Sequence, residues 1–182
     1  MRRVIVAAIG ASVLFGVLLS ASVVAASGAT KSGKVELWVV PSVTGATSTA
    51  HPGKVIFTGT IGDYGEALKV NAAGKPTKKS TYRLLELKKG TMLVDIAKFS
   101  AAERRAAPTV NMATCSFYGR VSGAITVVSG TGAYHGVTGS LTITALFGGI
   151  GPFKNGKCTT KTTTPALATY TSITGSGTVT LP

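Results

Sequence analysis

From Lys34 to Val40 the chain alternates: Val35, Leu37 and Val39 fall on one side, Glu36, Trp38 and Val40 on the other. A period of two is the pattern of a half-buried β-strand. It returns in Lys54–Tyr64, where Val55, Phe57, Gly59, Ile61 and Asp63 share a side. In Leu141–Phe147, Leu141, Ile143, Ala145 and Phe147 stand opposite Thr142 and Thr144. Glu66–Asn71, Tyr82–Lys88, Thr91–Phe99, Val110–Tyr118, Val121–Ser129, Tyr170–Thr174 and Gly177–Leu181 complete the predicted strands. Tyr82–Lys88 and Thr91–Phe99 read as a hairpin turning at Lys89-Gly90, and the next two strands pair around Gly119. Only Ser100–Ala107 reads as helix, with Ser100 as N-cap, Glu103 at the capping-box position and Pro108 as the stop. About eight strands, short turns and no long helix predict an all-β fold, an antiparallel barrel or sandwich.

Between two alternating runs lies Ser129–Ser140, which holds Gly130, Gly132, Gly136 and Gly139. Strands flank these glycines on both sides, and no Gly-Lys-Ser/Thr follows, so they do not form a nucleotide-binding loop. They read as structural turn residues. Tyr134, in their midst, is expected to pack over a barrel end, and His135 to be a solvated loop residue. A Tyr–His proton relay at the barrel mouth is the alternative.

The N-terminus adds a compartment. Met1-Arg2-Arg3 is followed by an apolar run from Val4 to Leu19 and small residues to Ser27. This is the layout of a secretory signal peptide, expected at 1–26 and cleaved, with a retained membrane anchor as the alternative. A flexible tail at 27–33 and one domain at 34–182 complete the expected organisation. Low-complexity Thr159–Thr164 reads as an exposed loop.

Charge and cysteines change the picture only in part. The 182-residue chain has a formal charge of +13; without Arg2 and Arg3 it keeps 17 basic against 6 acidic residues, +11. Such an excess suits an anionic envelope polymer. The lysines are dispersed and not interleaved with aromatics, so specific nucleic-acid binding is not expected. Two cysteines, Cys115 and Cys158, predict one disulfide in an oxidising compartment. Closing that loop would stabilise the fold by about 4 kcal/mol in the chain-entropy reckoning. His51 and His135 lie far apart, and neither a metal nor another cofactor is expected.

Several segments together resemble a known family. They are Phe57-Thr58-Gly59-Thr60-Ile61-Gly62-Asp63-Tyr64-Gly65, Leu87-Lys88-Lys89-Gly90-Thr91-Met92, Cys115, and Gly175-Ser176-Gly177-Thr178-Val179. The most specific is Gly-Thr-Gly-x-Tyr-x-Gly-x-x-Gly at Gly130–Gly139. The chain from about Lys34 onward resembles small secreted bacterial proteins of the allene oxide cyclase barrel type, akin to plant dirigent proteins. The resemblance implies an eight-stranded antiparallel barrel with a lumen. Its plant members guide a cyclisation or a radical coupling through the shape of an apolar cavity. The acids of their first strand are not matched here, where only Glu36 is present.

The expected function is therefore a secreted or extracytoplasmic barrel that holds a small apolar or amphipathic ligand in its lumen. Phe57, Tyr64, Trp38 and Tyr82 are the candidate ligand contacts. An isomerase that steers ring closure is the first alternative, with Asp63 or Glu36 as its acid. For Asp63 the competing reading is a carboxylate bonded to turn amides. Glu66, Glu86 and Asp95 are expected to pair with surface lysines. An envelope protein held by its basic surface is the second alternative.

Overall fold

The structure is a computed structural model and describes residues 30–41, 53–154, 157–159 and 165–182. The leader, His51 and the threonine run within Thr159–Thr164, Thr159 excepted, lie outside the described residues. The chain forms β1 (Lys31–Pro41), β2 (Gly53–Gly59), β3 (Asp63–Val70), β4 (Tyr82–Leu87) and β5 (Gly90–Asp95). The helix α1 (Ala97–Glu103), β6 (Thr109–Asn111), β7 (Ser116–Gly130) and β8 (Thr138–Ile150) follow. β9 (Phe153–Lys154), β10 (Lys157–Cys158) and β11 (Ala168–Leu181) end it. β1, β2, β3, β4, β5, β7, β8 and β11 pair in that circular order, each with antiparallel neighbours, and β11 returns to β1. The result is a closed eight-stranded antiparallel β-barrel, one of the two all-β architectures that the alternation allows.

Closure follows from the pattern. Every second residue points to the lumen, and the registers bring these inward positions level. Leu37 is opposite Phe57 on β2 and Gly175 on β11; Leu85 is opposite Ala67 on β3 and Met92 on β5. Val35, Val55, Val94, Val121, Ile125, Leu141 and Val179 are buried with them. Each large aliphatic side chain removed from water in this way contributes roughly 1.5–3 kcal/mol. An eight-stranded barrel is just wide enough for such side chains to fill, or to hold one small ligand.

The two barrel ends differ. At one end lie the β2–β3 and β4–β5 turns and a single 3-10 turn, Gly132–Tyr134, between β7 and β8. At the other end α1 packs on β7, with Phe99 buried in the core. There β7, β8 and β11 run on past the barrel; β11 parts from β1 at Ile173 but stays paired to β8 down to Ala168. A Cys115–Cys158 disulfide, with a Cα–Cα distance of 5.2 Å, ties the start of β7 to β10 on this extension.

Several boundaries differ from those read in the sequence. Lys54–Tyr64 is a hairpin, because the chain turns at Thr60–Gly62 without breaking the inward parity: Phe57 pairs with Asp63 across the turn. β1 starts at Lys31, where Lys31, Ser32 and Gly33 pair with Leu181, Thr180 and Val179. α1 begins at Ala97 instead of Ser100. Asp95 Oδ1 accepts from the Ala97 amide at 2.9 Å and starts the turn early. Gly119 does not end a strand. It leaves room for the Phe147 ring, whose Cζ would lie 2.4 Å from an added Cβ, and β7 runs unbroken past it. The β4–β5 turn falls at Lys88-Lys89, one residue early, and Gly175-Ser176-Gly177 lies within a continuous β11.

Candidate functional site

Asp63 opens β3 on the inward side and is 6% exposed. A carboxylate taken so far from water needs partners. It has three. Its Oδ1 accepts from the Tyr64 amide at 2.8 Å, and its Oδ2 accepts from the Lys89 amide at 3.0 Å and from the Tyr134 hydroxyl at 2.5 Å. Burial alone would raise the Asp63 carboxyl; these hydrogen bonds and the nearby Lys89 charge outweigh it and hold it below its ordinary value. Tyr134 is 1% exposed, and burial together with the carboxylate beside it pushes its hydroxyl well above the usual tyrosine range. The 3-10 turn delivers that ring because Gly132 takes φ +59°, a left-handed conformation that L side chains rarely adopt. Tyr134 thus packs over the barrel end as expected, and His135 is exposed.

The opposite end is built differently. Beneath α1 lies a cavity of about 190 Å³, walled by inward aliphatic residues that include Leu37, Leu85, Val94, Ile125, Ile143 and Ile173. Phe99 of α1 reaches into it. The helix sits this close because β7 has glycine at position 123; an added Cβ would stand 2.6 Å from Phe99 Cα. Among the described residues two charged ones border the cavity, Arg83 of β4 and Glu103 of α1. Arg83 shares the inward parity of Leu85 and Leu87 and lies opposite Val94 on β5 and Lys69 on β3. Its Nη1 donates to the carbonyls of Tyr82 at 2.9 Å and Ser80 at 3.2 Å, which fixes the guanidinium at the rim. Burial lowers its pKa, and the charge of Glu103 acts in the other direction.

The expected site residues fall into three groups. Phe57 is inward but packed in the core opposite Asp63. Glu36, Trp38 and Tyr64 point outward; Trp38 is 50% and Tyr64 58% exposed, and the Lys88 ammonium lies over the Tyr64 ring. Tyr82 is half-buried at the outward parity of β4. None of these, nor Asp63, borders the cavity. Arg83 and Glu103, which do, are not among the expected site residues; in the sequence Glu103 reads as a capping-box residue. One signal was available for Arg83, a charge in step with Leu85 and Leu87.

A larger depression of about 520 Å³ lies on the strand extension, between Phe117, Tyr118, Ile150 and Tyr170. It is lined otherwise by glycine, alanine, serine and threonine and carries no charge. The lumen cavity is the better candidate because it joins an apolar wall to polar groups at one end, the usual make-up of a small-molecule site. Among the described residues no group of three or more His, Cys, Asp or Glu side chains converges as a metal site would need. No protein-family model matches the chain, and no curated protein and no solved structure is significantly similar to it.

Proposed function

We propose that this protein is an extracytoplasmic barrel that binds one small apolar or amphipathic molecule at the α1 end of its lumen. The observation that carries the reading is the cavity itself. Protein interiors are close-packed, with few voids larger than a water molecule. A pocket of about 190 Å³, partly open at the α1 end and walled by inward aliphatic side chains, is space beside the core that no side chain among the described residues fills. An apolar cavity of about 150 Å³ is enough to take up benzene, so the ligand is sized as a single ring or a short branched chain. A long acyl chain would not be enclosed. The disulfide supports the compartment, since such bonds persist where the surroundings are oxidising.

Binding is favoured over ring closure because Glu36 points outward and both Asp63 oxygens are engaged at the plugged end. The test is a titration with toluene, followed through methyl resonances. Saturable shifts are expected at Leu85, Val94, Ile125, Ile143 and Ile173, with little change at Val137 and Val179 near the plug. Absence of any saturable shift in the lumen would overturn the reading.

A further inference from the structure

The cavity has a chemical polarity of its own. Its wall is hydrocarbon, and its charge is confined to one side, where Arg83 and Glu103 meet it. Arginine carries five N–H donors in a fixed fork. The Arg83 hydrogen bonds, to the carbonyls of Ser80 and Tyr82, both come from Nη1 and both go to its own strand or the residues leading into it. The fork is thus held in place from behind by neutral acceptors, while its side chain lines the cavity. Lys69 stands next to it in register on β3, and its Nζ donates to the Lys78 carbonyl at 3.4 Å. Two cations therefore share this stretch of the barrel, against the single cavity-lining carboxylate of Glu103, which is itself exposed.

This arrangement is unlike that of a structural arginine. Arg83 is half-buried, and a cation drawn that far from water is ordinarily matched by a carboxylate in good geometry. At the other end of this same barrel the matching is carried through: Asp63 has three donors. At Arg83 the counter-charge is an exposed glutamate on the last turn of a seven-residue helix, beside open space.

Resting on the lumen-binding reading above, we propose that the natural ligand is a small organic anion. It is a carboxylate carried on one ring or a short branched hydrocarbon of about ten heavy atoms, with its hydrocarbon among Ile125, Ile143 and Phe99 and its carboxylate on the Arg83 fork. Planar, bidentate recognition of a carboxylate is what a guanidinium does better than an ammonium. Glu103 sets the selectivity from the other side. It repels an anion that fails to reach Arg83, and it yields its place beside the guanidinium to one that does.

The test compares three probes of one shape, measured by calorimetry on the purified protein: 4-methylbenzoate, 4-methylbenzyl alcohol and toluene. The carboxylate should bind roughly tenfold or more tightly than the other two, in keeping with the strength of charge-assisted hydrogen bonds. Arg83→Gln should remove that advantage, 4-methylbenzoate then binding no more tightly than toluene to the same variant, and a cooperative urea transition reports that the variant is folded. Arg83→Lys, which keeps the charge and loses the fork, should recover only part of it, and serves if Arg83→Gln does not fold. Glu103→Gln should strengthen 4-methylbenzoate binding a few-fold and leave toluene unchanged. Equal or weaker binding of the carboxylate, with toluene still bound, would overturn the anion assignment and leave the lumen site standing. Failure of all three probes to bind would overturn both.

Discussion

The two ends of the barrel treat an inward-pointing charge in opposite ways. At the plugged end, Asp63 is buried and accepts from three donors, the Tyr64 and Lys89 amides and the Tyr134 hydroxyl. At the α1 end, Arg83 is held by two carbonyls and adjoins a cavity of about 190 Å³. Perturbed acidity alone would have picked Asp63 as the active group, because buried titratable groups cluster at functional sites. Satisfaction of hydrogen bonds separates the cases. A carboxylate with three donors on its two oxygens is a clamp between turns. A guanidinium with two carbonyl partners, on a side chain that lines a cavity, has donors left to bind.

The contrast can be broken by mutation, and the largest effect is expected at the clamp. Asp63→Ala would leave two backbone amides and a buried hydroxyl without their acceptor, and should lower the unfolding free energy in urea by about 3–5 kcal/mol. Toluene binding under native conditions should survive in the folded fraction. A loss of less than about 1 kcal/mol would show that Asp63 is not the clamp described.

Tyr134→Phe is the gentler probe. It removes one charge-assisted hydrogen bond and should cost about 1.5–3 kcal/mol. It also changes the pH dependence. Because the folded Asp63 carboxyl is held below its ordinary value of 3.8, its contribution is present above that pH and is lost as pH falls through the lower folded value. For Tyr134 the folded value is raised, so its contribution is present below pH 10.0 and is lost as pH climbs further. Urea midpoints against pH should show the wild type losing stability on both flanks. The variant should lose the alkaline flank and begin its acid loss at higher pH. Identical profiles would contradict the Asp63–Tyr134 bond.

The smallest expected change is a gain. Ala67→Leu points into the cavity and fills part of it. It should raise stability by about 0.5–2 kcal/mol, as cavity-filling changes commonly do, and weaken toluene binding at the same time. A destabilised variant, or one that binds toluene unchanged, would place the free volume elsewhere.

The inward faces of β1 and β8 were legible in the sequence, and that of β4 was not. Val35, Leu37 and Val39, or Leu141, Ile143 and Ala145, alternate against polar neighbours, so their inward face is plain. The glycines around Tyr134 announced a turn without a phosphate site. β4 carries no such contrast: in Tyr-Arg-Leu-Leu-Glu-Leu both faces are largely apolar. The outward Leu84 lies level with Leu68 and Leu93. The turn at Ala72–Gly74 adjoins Leu84 and Leu93 there. A strand covered on both faces loses its period, and the inward course of Arg83 was lost with it. Glu103 was hidden for another reason. It looked like half of a capping box, whereas the helix begins three residues earlier and brings Glu103 to its last turn beside the opening. Trp38 misled in the opposite sense, since a large aromatic on an alternating strand suggests a lumen and the register turns it out.

The most direct measurement is the anomalous diffraction of crystals of the protein soaked in iodobenzene. The account predicts an iodine peak in the lumen between Ile125, Ile143 and Phe99, and none beside Asp63 and Tyr134. A lumen without iodine, or a peak at the plugged end, would contradict it.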